Sequence, residues 1–466
     1  MNFCSLDFIF IFLPLFVLLH GTVPAKFKNA VLFLGSTVFY YLAANDGGYS
    51  ILWLAASVVA NYLSGILMKK CKRRYRKAIF TVSVTLNAVS LLMFKYLTPV
   101  VDMFNSSVPD SITAVDVVLP LGYSFYIFKC ISYLHQVYKR DVRAETSFID
   151  FGAYITLFPQ VTMGPIQTYK DFYPALKSRT VSLSGINAGL HEFILGLGLK
   201  MIFANRLAAV WNGVETIGYD SISTPLAWLG VLAFSLQLYF DFYGYSLMSR
   251  GIGMMLGYST PDNFTHPYMS RSVSEFWRRW HMTLGEWFKE NIYFPLGGNR
   301  RGKSKTVRNM FIVWLLTGIW HGDSINYIVW GMFLFVLITA ERTKLMKPVM
   351  KNSVTSRIYT VFFILLSWMI FKVRTLNDIG VYFSRMFPFF AETPEYVFAQ
   401  DWVRYAKGLG WLMVFGVIFA TPLPRMIYER LKRYPAVIIP VMLCIFWYAV
   451  YLAATCANNP FLYVNY

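Results

Sequence analysis

Residues 309–340 read NMFIVWLLTGIWHGDSINYIVWGMFLFVLITA. Two long apolar arms flank a short polar stretch that begins at His321. An ionisable side chain at membrane depth is energetically costly, which makes His321 a candidate functional residue. As a helix the first arm would rise only about 18 Å, at ~1.5 Å per residue, whereas a bilayer core is roughly 30 Å thick. The stretch therefore predicts a segment that enters a membrane, bends near His321 and returns.

The rest of the sequence is typical of a polytopic membrane protein. Of the 466 residues, 56% are hydrophobic and 14% are charged, whereas a soluble chain carries about a quarter charged residues. Apolar runs that could span or nearly span a bilayer recur from end to end. Because a backbone in lipid must satisfy its own hydrogen bonds, we expect an all-α bundle of about 11 or more transmembrane and re-entrant helices. A single membrane domain would cover residues 1–466.

The net charge of +19 follows the pattern of membrane topology. Basic loops occur at 69–77 and 139–143, and the residues between 96 and 118 contain no Lys or Arg. Positively charged loops remain in the cytosol, and basic residues there also contact anionic lipid headgroups. We therefore expect lipids rather than nucleic acid as the partner of these charges. This arrangement places both the N-terminus and the C-terminus outside the cytosol.

The same pattern predicts how the domain is divided. N-terminal spans would occupy 1–138, a catalytic core 139–341 and C-terminal spans 342–466. Prolines and a glycine in the stretch 158–165, FPQVTMGP, predict a broken or re-entrant segment. Aromatic and basic residues at helical spacing predict one interfacial helix at 271–290. Individual spans are predicted near 6–22, 28–44, 48–68, 78–98, 119–138, 183–204, 225–249, 356–371, 408–422 and 436–455.

Two histidines that each follow a tryptophan are the candidate catalytic residues. A neutral imidazole at His321 could take a proton from an attacking hydroxyl, because its pKa lies near working pH. A structural histidine that bridges two helices is the alternative. His281 lies four residues after Trp277, so a continuous helix would place both on one face. His281 could serve the reaction, or it could be an interfacial histidine hydrogen-bonded to backbone.

A polar cluster lies inside an apolar span at 237–246, QLYFDFYGYS. A buried carboxylate such as Asp241 requires a partner, and Arg250 or a tyrosine hydroxyl is expected. A polar clamp between helices and a direct substrate contact both remain open. Lysines at the predicted span ends are expected to extend toward the headgroups; these are Lys95, Lys129 and Lys200.

Three stretches resemble the signature of the membrane-bound O-acyltransferases. They are EFWRRWH at 275–281, YFPLGGNR at 293–300, and LTGIWHG at 316–322, the last followed by Trp330-Gly331. Motifs at 119–125, 157–166, 239–246 and 459–463 agree in the same order. The resemblance covers most of the chain and is strongest to the bacterial branch that acetylates polysaccharides such as alginate.

The resemblance implies a ring-like helical bundle with a thinned centre, in a bacterial inner membrane. It implies no bound cofactor or metal; an acyl thioester, acetyl-CoA, would be the substrate that donates the acyl group from the cytosol. The invariant histidine of the family falls on His321 and the second histidine on His281. A secreted or membrane-anchored acetyltransferase partner would complete transfer to an extracytoplasmic polysaccharide. The candidate substrate-binding residues are Trp280, Trp320, Arg278, Arg279, Asp241, Tyr245 and Gln237.

Two alternatives accompany this prediction. A related enzyme could transfer D-alanine to teichoic acid from a carrier-protein thioester. A polysaccharide or lipid transporter would belong to a different class, in which buried polar residues line a path. The paired Trp-His motifs and the lack of an evident internal repeat favour an enzyme.

Overall fold

Helices form the framework of the computed structural model, which describes residues 1–107, 117–389, 396–455 and 461–462. No strand occurs within these ranges. Except at its two ends, a helix satisfies its backbone hydrogen bonds within one segment, which suits apolar sequence in lipid. The terminal motif at 459–463 lies outside the described residues except for Phe461 and Leu462.

The N-terminal helices follow the predicted apolar runs. Asn45, in the left-handed conformation (φ 49°), ends the second helix. The basic stretch at 69–77, predicted as a loop, lies mostly in the adjoining ends of the third and fourth helices, and only Cys71 and Lys72 separate them. The fourth helix extends beyond the predicted 78–98 at both ends, because its polar ends continue the helix past the apolar run. These elements are α1 (Leu13–Thr22), preceded by a π-helical turn (Phe8–Phe12), α2 (Lys28–Ala44), α3 (Tyr49–Lys70), α4 (Arg73–Ser107) and α5 (Tyr123–Lys139).

The predicted broken segment is confirmed. Helix α6 (Phe148–Thr156) stops at Leu157, the single-turn α7 (Phe158–Val161) follows, and α8 (Tyr169–Lys177) begins after a loop. The broken backbone is buried, and protein groups replace its missing helical hydrogen bonds. Phe158 N–H donates to a serine hydroxyl at 3.1 Å. Lys129, only 1% exposed, donates to the Tyr154 carbonyl and, at 3.2 Å, to a glutamine oxygen. The expectation that Lys129 snorkels is therefore wrong.

Two long helices pack backbone against backbone in the middle of the bundle. The first is α9 (Leu183–Gly198), which continues through a π-helical turn (Leu199–Ala204) into α10 (Asn205–Ile217); the second is α11 (Thr224–Met255). A Cβ atom at Gly196 would lie 2.4 Å from the Gly244 carbonyl oxygen, and one at Gly251 would lie 2.4 Å from the Gly189 carbonyl oxygen. Small residues allow this close approach, as is typical of helices in membranes.

The prediction of one continuous interfacial helix at 271–290 is wrong. Two short helices, α12 (Val273–Arg279) and α13 (Met282–Phe288), meet at His281, which has a left-handed conformation (φ 44°). A π-helical turn, Lys289–Tyr293, follows α13. His281 therefore does not share a helical face with Trp277.

The hairpin predicted at 309–341 is confirmed. It consists of α14 (Lys303–His321) and α15 (Ile325–Ala340), with the bend at 322–324 directly after His321. Gly318 lies inside α14, three residues before His321. A Cβ atom there would lie 2.5 Å from the Tyr327 carbonyl oxygen, so the glycine lets the two arms approach closely.

Six helices complete the described chain, and two of them, Asp401–Phe419 and Leu423–Leu431, meet at an angle of 76°. Seven helices in the described ranges are long and apolar enough to cross a membrane, counting α9 and α10 as one, and the bent pair could add an eighth. The fold is thus all-α and polytopic, as predicted, whereas the division of the domain at 138 and 341 stays a prediction. The last helices are α16 (Lys347–Lys351), α17 (Ser353–Lys372), α18 (Leu376–Met386), α19 (Asp401–Phe419), α20 (Leu423–Leu431) and α21 (Pro435–Thr455).

Candidate active site

One cavity of about 740 Å³ is lined by both His281 and His321. Its walls come from α12, α13, α14, the C-terminal end of α15 and the loop that follows the broken segment. The charge pattern predicts that this end of α15 faces the cytosol. The bend after α14 and the break between α12 and α13 therefore bring together two histidines that are 40 positions apart in the sequence.

His321 is the last residue of α14 and is 3% exposed. Its imidazole centroid lies 4.6 Å from that of Trp320, and it meets Trp330 and Phe371 edge-on at 5.0 Å each. Aromatic rings on several sides keep bulk water from the imidazole. In such a low-dielectric setting, hydrogen bonds and charges act more strongly than in water.

The end of α14 is fixed by two side chains from α4. The last carbonyls of a helix have no partner within it. The Tyr96 hydroxyl donates to the Gly322 carbonyl at 2.7 Å and also to the Ile319 carbonyl. The Lys95 ammonium donates to the Trp320 carbonyl and lies 5.3 Å from the centre of the Trp320 ring. Lys95 therefore contacts protein at a helix C-terminus, where a cation is favourable, and the expectation that it snorkels is wrong.

His281 is held at the break between α12 and α13. It is 3% exposed, and the Phe242 ring meets its imidazole edge-on at 4.6 Å. The His281 Nδ1 atom lies 3.0 Å from Asn263 Oδ1. His281 thus binds the side chain of Asn263, whereas the sequence suggested a backbone partner. Asn263 belongs to no motif quoted above, and no sequence signal marks it.

Tryptophans form one wall of the cavity. Trp277, Trp280 and Trp314 line it, and Trp277 lies 5.3 Å from both Trp314 and Trp330, measured between ring centroids. Trp368 supports this wall from behind, with its ring centroid 4.9 Å from that of Trp280. Trp314 was not predicted, yet it precedes His321 by seven residues, which is two helical turns. This helical spacing in the sequence could have identified Trp314 as a residue on the same face as His321.

Charged side chains surround the opening of the cavity. Arg278 and Arg342 are exposed, and neither forms an ion pair with any described residue. Lys289 instead pairs with Glu286 at 3.0 Å. Arg278, Glu286 and Lys289 lie in 259–308, which carries nine Lys/Arg against four Asp/Glu, and Arg342 begins a basic stretch at 342–351. The excess of positive charge predicts that both stretches are in the cytosol. The charged lining residues are Asp171, Asp262, Arg278, Glu286, Lys289, Glu290 and Arg342.

Residues 38–378 match the family pattern of the membrane-bound O-acyltransferases. The chain belongs to this family. It is 34% identical to a probable alginate O-acetylase of Pseudomonas aeruginosa, over 84% of this chain and 75% of that protein. It is 31% identical to a peptidoglycan O-acetyltransferase of Helicobacter pylori, over 80% of this chain and 77% of that protein. A teichoic acid D-alanyltransferase of Bacillus subtilis is 27% identical over 47% of this chain and 58% of its own length.

Membership in the membrane-bound O-acyltransferase family makes the protein an acyltransferase, as predicted, and favours this activity over the transporter alternative. In this acyltransferase, Trp280 and Arg278 join the two histidines at the cavity. Arg279 points elsewhere and pairs with Glu275 at 2.6 Å. Within the described residues, no three His, Cys, Asp or Glu side chains are grouped so that they could hold a metal ion.

The remaining predicted residues of the acyltransferase lie away from the cavity lining. Trp320 packs its ring against Phe128, at 5.6 Å between centroids. Gln237 is buried in α11, and the Tyr245 hydroxyl lies 2.6 Å from Thr162 Oγ1. The contacts of Trp320 and Tyr245 connect different parts of the bundle, and any contact of the three side chains with substrate stays a prediction.

Asp241 forms an ion pair with Lys200, and the two side chains are 1% and 2% exposed. Asp241 also accepts a hydrogen bond from Leu462 N–H at 2.9 Å. The predicted partner was wrong, because Arg250 instead pairs with Glu192 and Asp262. The expectation that Lys200 extends toward the headgroups is also wrong, because its ammonium pairs with Asp241 inside the bundle. Asp241 therefore clamps α11 to the π-helical turn after α9 and to the chain at Leu462.

Proposed function

We propose that the protein is an O-acetyltransferase that takes an acetyl group from a cytosolic thioester and passes it through the membrane for O-acetylation of an extracytoplasmic polysaccharide. The observation that carries this proposal is that His281 and His321 line the same cavity. The cavity is bordered by residues that the charge pattern assigns to the cytosol, and it reaches a histidine at a bend between two apolar helices.

The donor in this proposal is acetyl-CoA, acting as a substrate. A volume of about 740 Å³ falls within the range of roughly 300–1,000 Å³ that is usual for small-molecule sites. Arg278 and Arg342 at the opening would bind the phosphates of the donor through charge-assisted hydrogen bonds. The tryptophan wall would contact the less polar arm that carries the thioester.

His321 acts as the general base in the proposed reaction. It takes the proton from an acceptor hydroxyl, whose oxygen attacks the thioester carbonyl carbon. The C–O bond forms, the C–S bond breaks, and the proton passes from His321 to the departing thiolate. His281 assists by positioning the donor or relaying a proton. In a less favoured variant, His321 itself carries the acetyl group for a time.

The acceptor side of the proposal rests on the relatives. Two of them are named for O-acetylation of alginate and of peptidoglycan, and both of these polymers contain polysaccharide chains. Because the described chain is almost entirely a membrane bundle, we propose that a secreted or membrane-anchored acetyltransferase completes the transfer. The protein would lie in a bacterial inner membrane with both termini outside the cytosol.

A second candidate is transfer of D-alanine to teichoic acid from a carrier-protein thioester. The 27% identity to a teichoic acid D-alanyltransferase supports it, although that similarity covers less of the chain than the similarity to the O-acetyltransferases. The two candidates differ in the acyl group and in the donor, so labelling experiments can separate them.

The test measures incorporation of labelled acetate into envelope polysaccharide. We expect His321→Ala to abolish labelling, while His191→Gln, a matched change in a histidine that contacts Tyr428 away from the cavity, preserves it. Both variants are compared at equal amounts in the membrane. Labelling that persists in His321→Ala would refute the catalytic assignment. Incorporation of labelled D-alanine in place of acetate would favour the second candidate.

A further inference from the structure

We infer that Asn263 is a positioning residue that fixes the tautomer of His281, so that Nδ1 carries the proton and Nε2 carries the lone pair. The inference concerns the state of one side chain, and its importance for catalysis rests on the function proposed above. Three sets of contacts around Asn263 carry it.

Asn263 first holds the turn in which His281 lies. A residue other than glycine rarely adopts the left-handed conformation, and it persists only where surrounding contacts impose it. The Met282 N–H donates to the Asn263 carbonyl at 3.0 Å, and the Thr283 N–H donates to Asn263 Oδ1 at 3.3 Å. Asn263 therefore binds the chain on the C-terminal side of His281 through both its backbone and its side chain.

The same contacts identify which amide atom faces His281. The oxygen and nitrogen of an asparagine amide are assigned from their hydrogen-bond partners. Thr283 N–H can only donate, so the atom it binds must be the oxygen. The Thr283 hydroxyl accepts from Ile166 N–H at 3.0 Å and directs its own proton to Asn263 Oδ1 at 2.9 Å. Two donors to one atom thus define it as Oδ1, while the amide nitrogen faces Ser246 Oγ at 3.4 Å.

The tautomer of His281 follows from this orientation. An amide oxygen accepts hydrogen bonds and cannot donate them. His281 Nδ1, 3.0 Å from Asn263 Oδ1, must therefore be the donor. A neutral imidazole has one N–H, so the lone pair is on Nε2, at the other edge of the ring.

This arrangement gives His281 a defined role in the proposed reaction. With its lone pair on Nε2, the ring can accept a hydrogen bond or a proton from a group bound in the cavity. The opposite tautomer could only donate there. The amide of Ile166, in the loop after the broken segment, is thus connected through Thr283 and Asn263 to the proton-accepting state of His281.

The test is nitrogen NMR of the full-length protein in lipid bilayers, with ¹⁵N-labelled histidine. The His281 signals are those that disappear in His281→Gln. We expect a protonated Nδ1 and an unprotonated Nε2 in the wild type and in Asn263→Asp, which keeps an acceptor at this position. Ser246→Ala, which changes only the partner of the amide nitrogen, should also keep this pattern. Asn263→Ala should lose it.

Activity provides the second measurement. We expect Asn263→Ala to lower kcat by about 100-fold, a typical contribution of a positioned acid or base, with little change in the KM for the donor. A wild type in which Nε2 carries the proton would overturn the inference. So would Asn263→Ala if it kept both the tautomer and the wild-type kcat. If the wild type shows the expected tautomer but transfers no acetyl group, the proposed function fails while the assignment of His281 stands.

Discussion

Replacement of Lys200 by methionine should strongly destabilise the bundle. The change removes the ammonium that pairs with Asp241, and both side chains are almost fully buried. Breaking a buried pair by removing one partner typically costs about 3–5 kcal/mol. We therefore expect Lys200→Met to lower the free energy of unfolding by about 4 kcal/mol.

The assay is unfolding of the purified protein by SDS titration, with a double variant and a surface control. Lys200→Met combined with Asp241→Leu removes both charges and should recover most of the loss, since apolar residues of similar size often replace a buried pair without cost. Lys432→Gln breaks an exposed pair with Glu429 and should cost no more than about 1 kcal/mol. A double variant as unstable as Lys200→Met, or a Lys200→Met variant of wild-type stability, would refute the reasoning. If the stable double variant also transfers acetyl groups, Asp241 is a clamp and not a substrate contact.

Three other predictions concern the site and its support. Tyr96→Phe removes the hydroxyl that donates to the Gly322 carbonyl, so the free energy of unfolding should fall by about 1–3 kcal/mol; an unchanged value would show that this carbonyl finds another donor. Gly196→Val places atoms where the Gly244 carbonyl lies and should reduce the amount of folded protein in membranes, whereas Gly408→Val, at a position with open space, should not. Arg278→Gln should raise the KM for acetyl-CoA several-fold with kcat unchanged, and a normal KM measured at low salt would contradict the proposed phosphate contact.

Features with a local physical cause could be predicted from the sequence. Hydropathy alone indicates the membrane bundle, because a span requires a long apolar run. Proline and glycine indicate the broken segment at 158–165, and the short polar stretch after His321 indicates the bend of the hairpin. These signals act within a few residues, so tertiary contacts do not change them.

The errors concern residues whose conformation depends on distant partners. Trp277, His281 and Leu284 have helical spacing, and neither glycine nor proline marks a break there. The break instead accompanies contacts with Asn263, which is 18 positions from His281. Lys200 likewise finds Asp241 41 positions away. Such pairings are formed by the packing of helices, and no local pattern in the sequence predicts them.

The glycine contacts between α9 and α11 also restrict how a lipid-linked molecule could reach the protein interior. The two contact levels, Gly189 with Gly251 and Gly196 with Gly244, are seven residues apart on each helix, or about 10 Å at ~1.5 Å per residue. Backbones that touch at both levels leave no gap between the two helices for an acyl chain. The route between these two helices is therefore closed to an acyl chain, and a lipid-linked acceptor would have to approach between other helices.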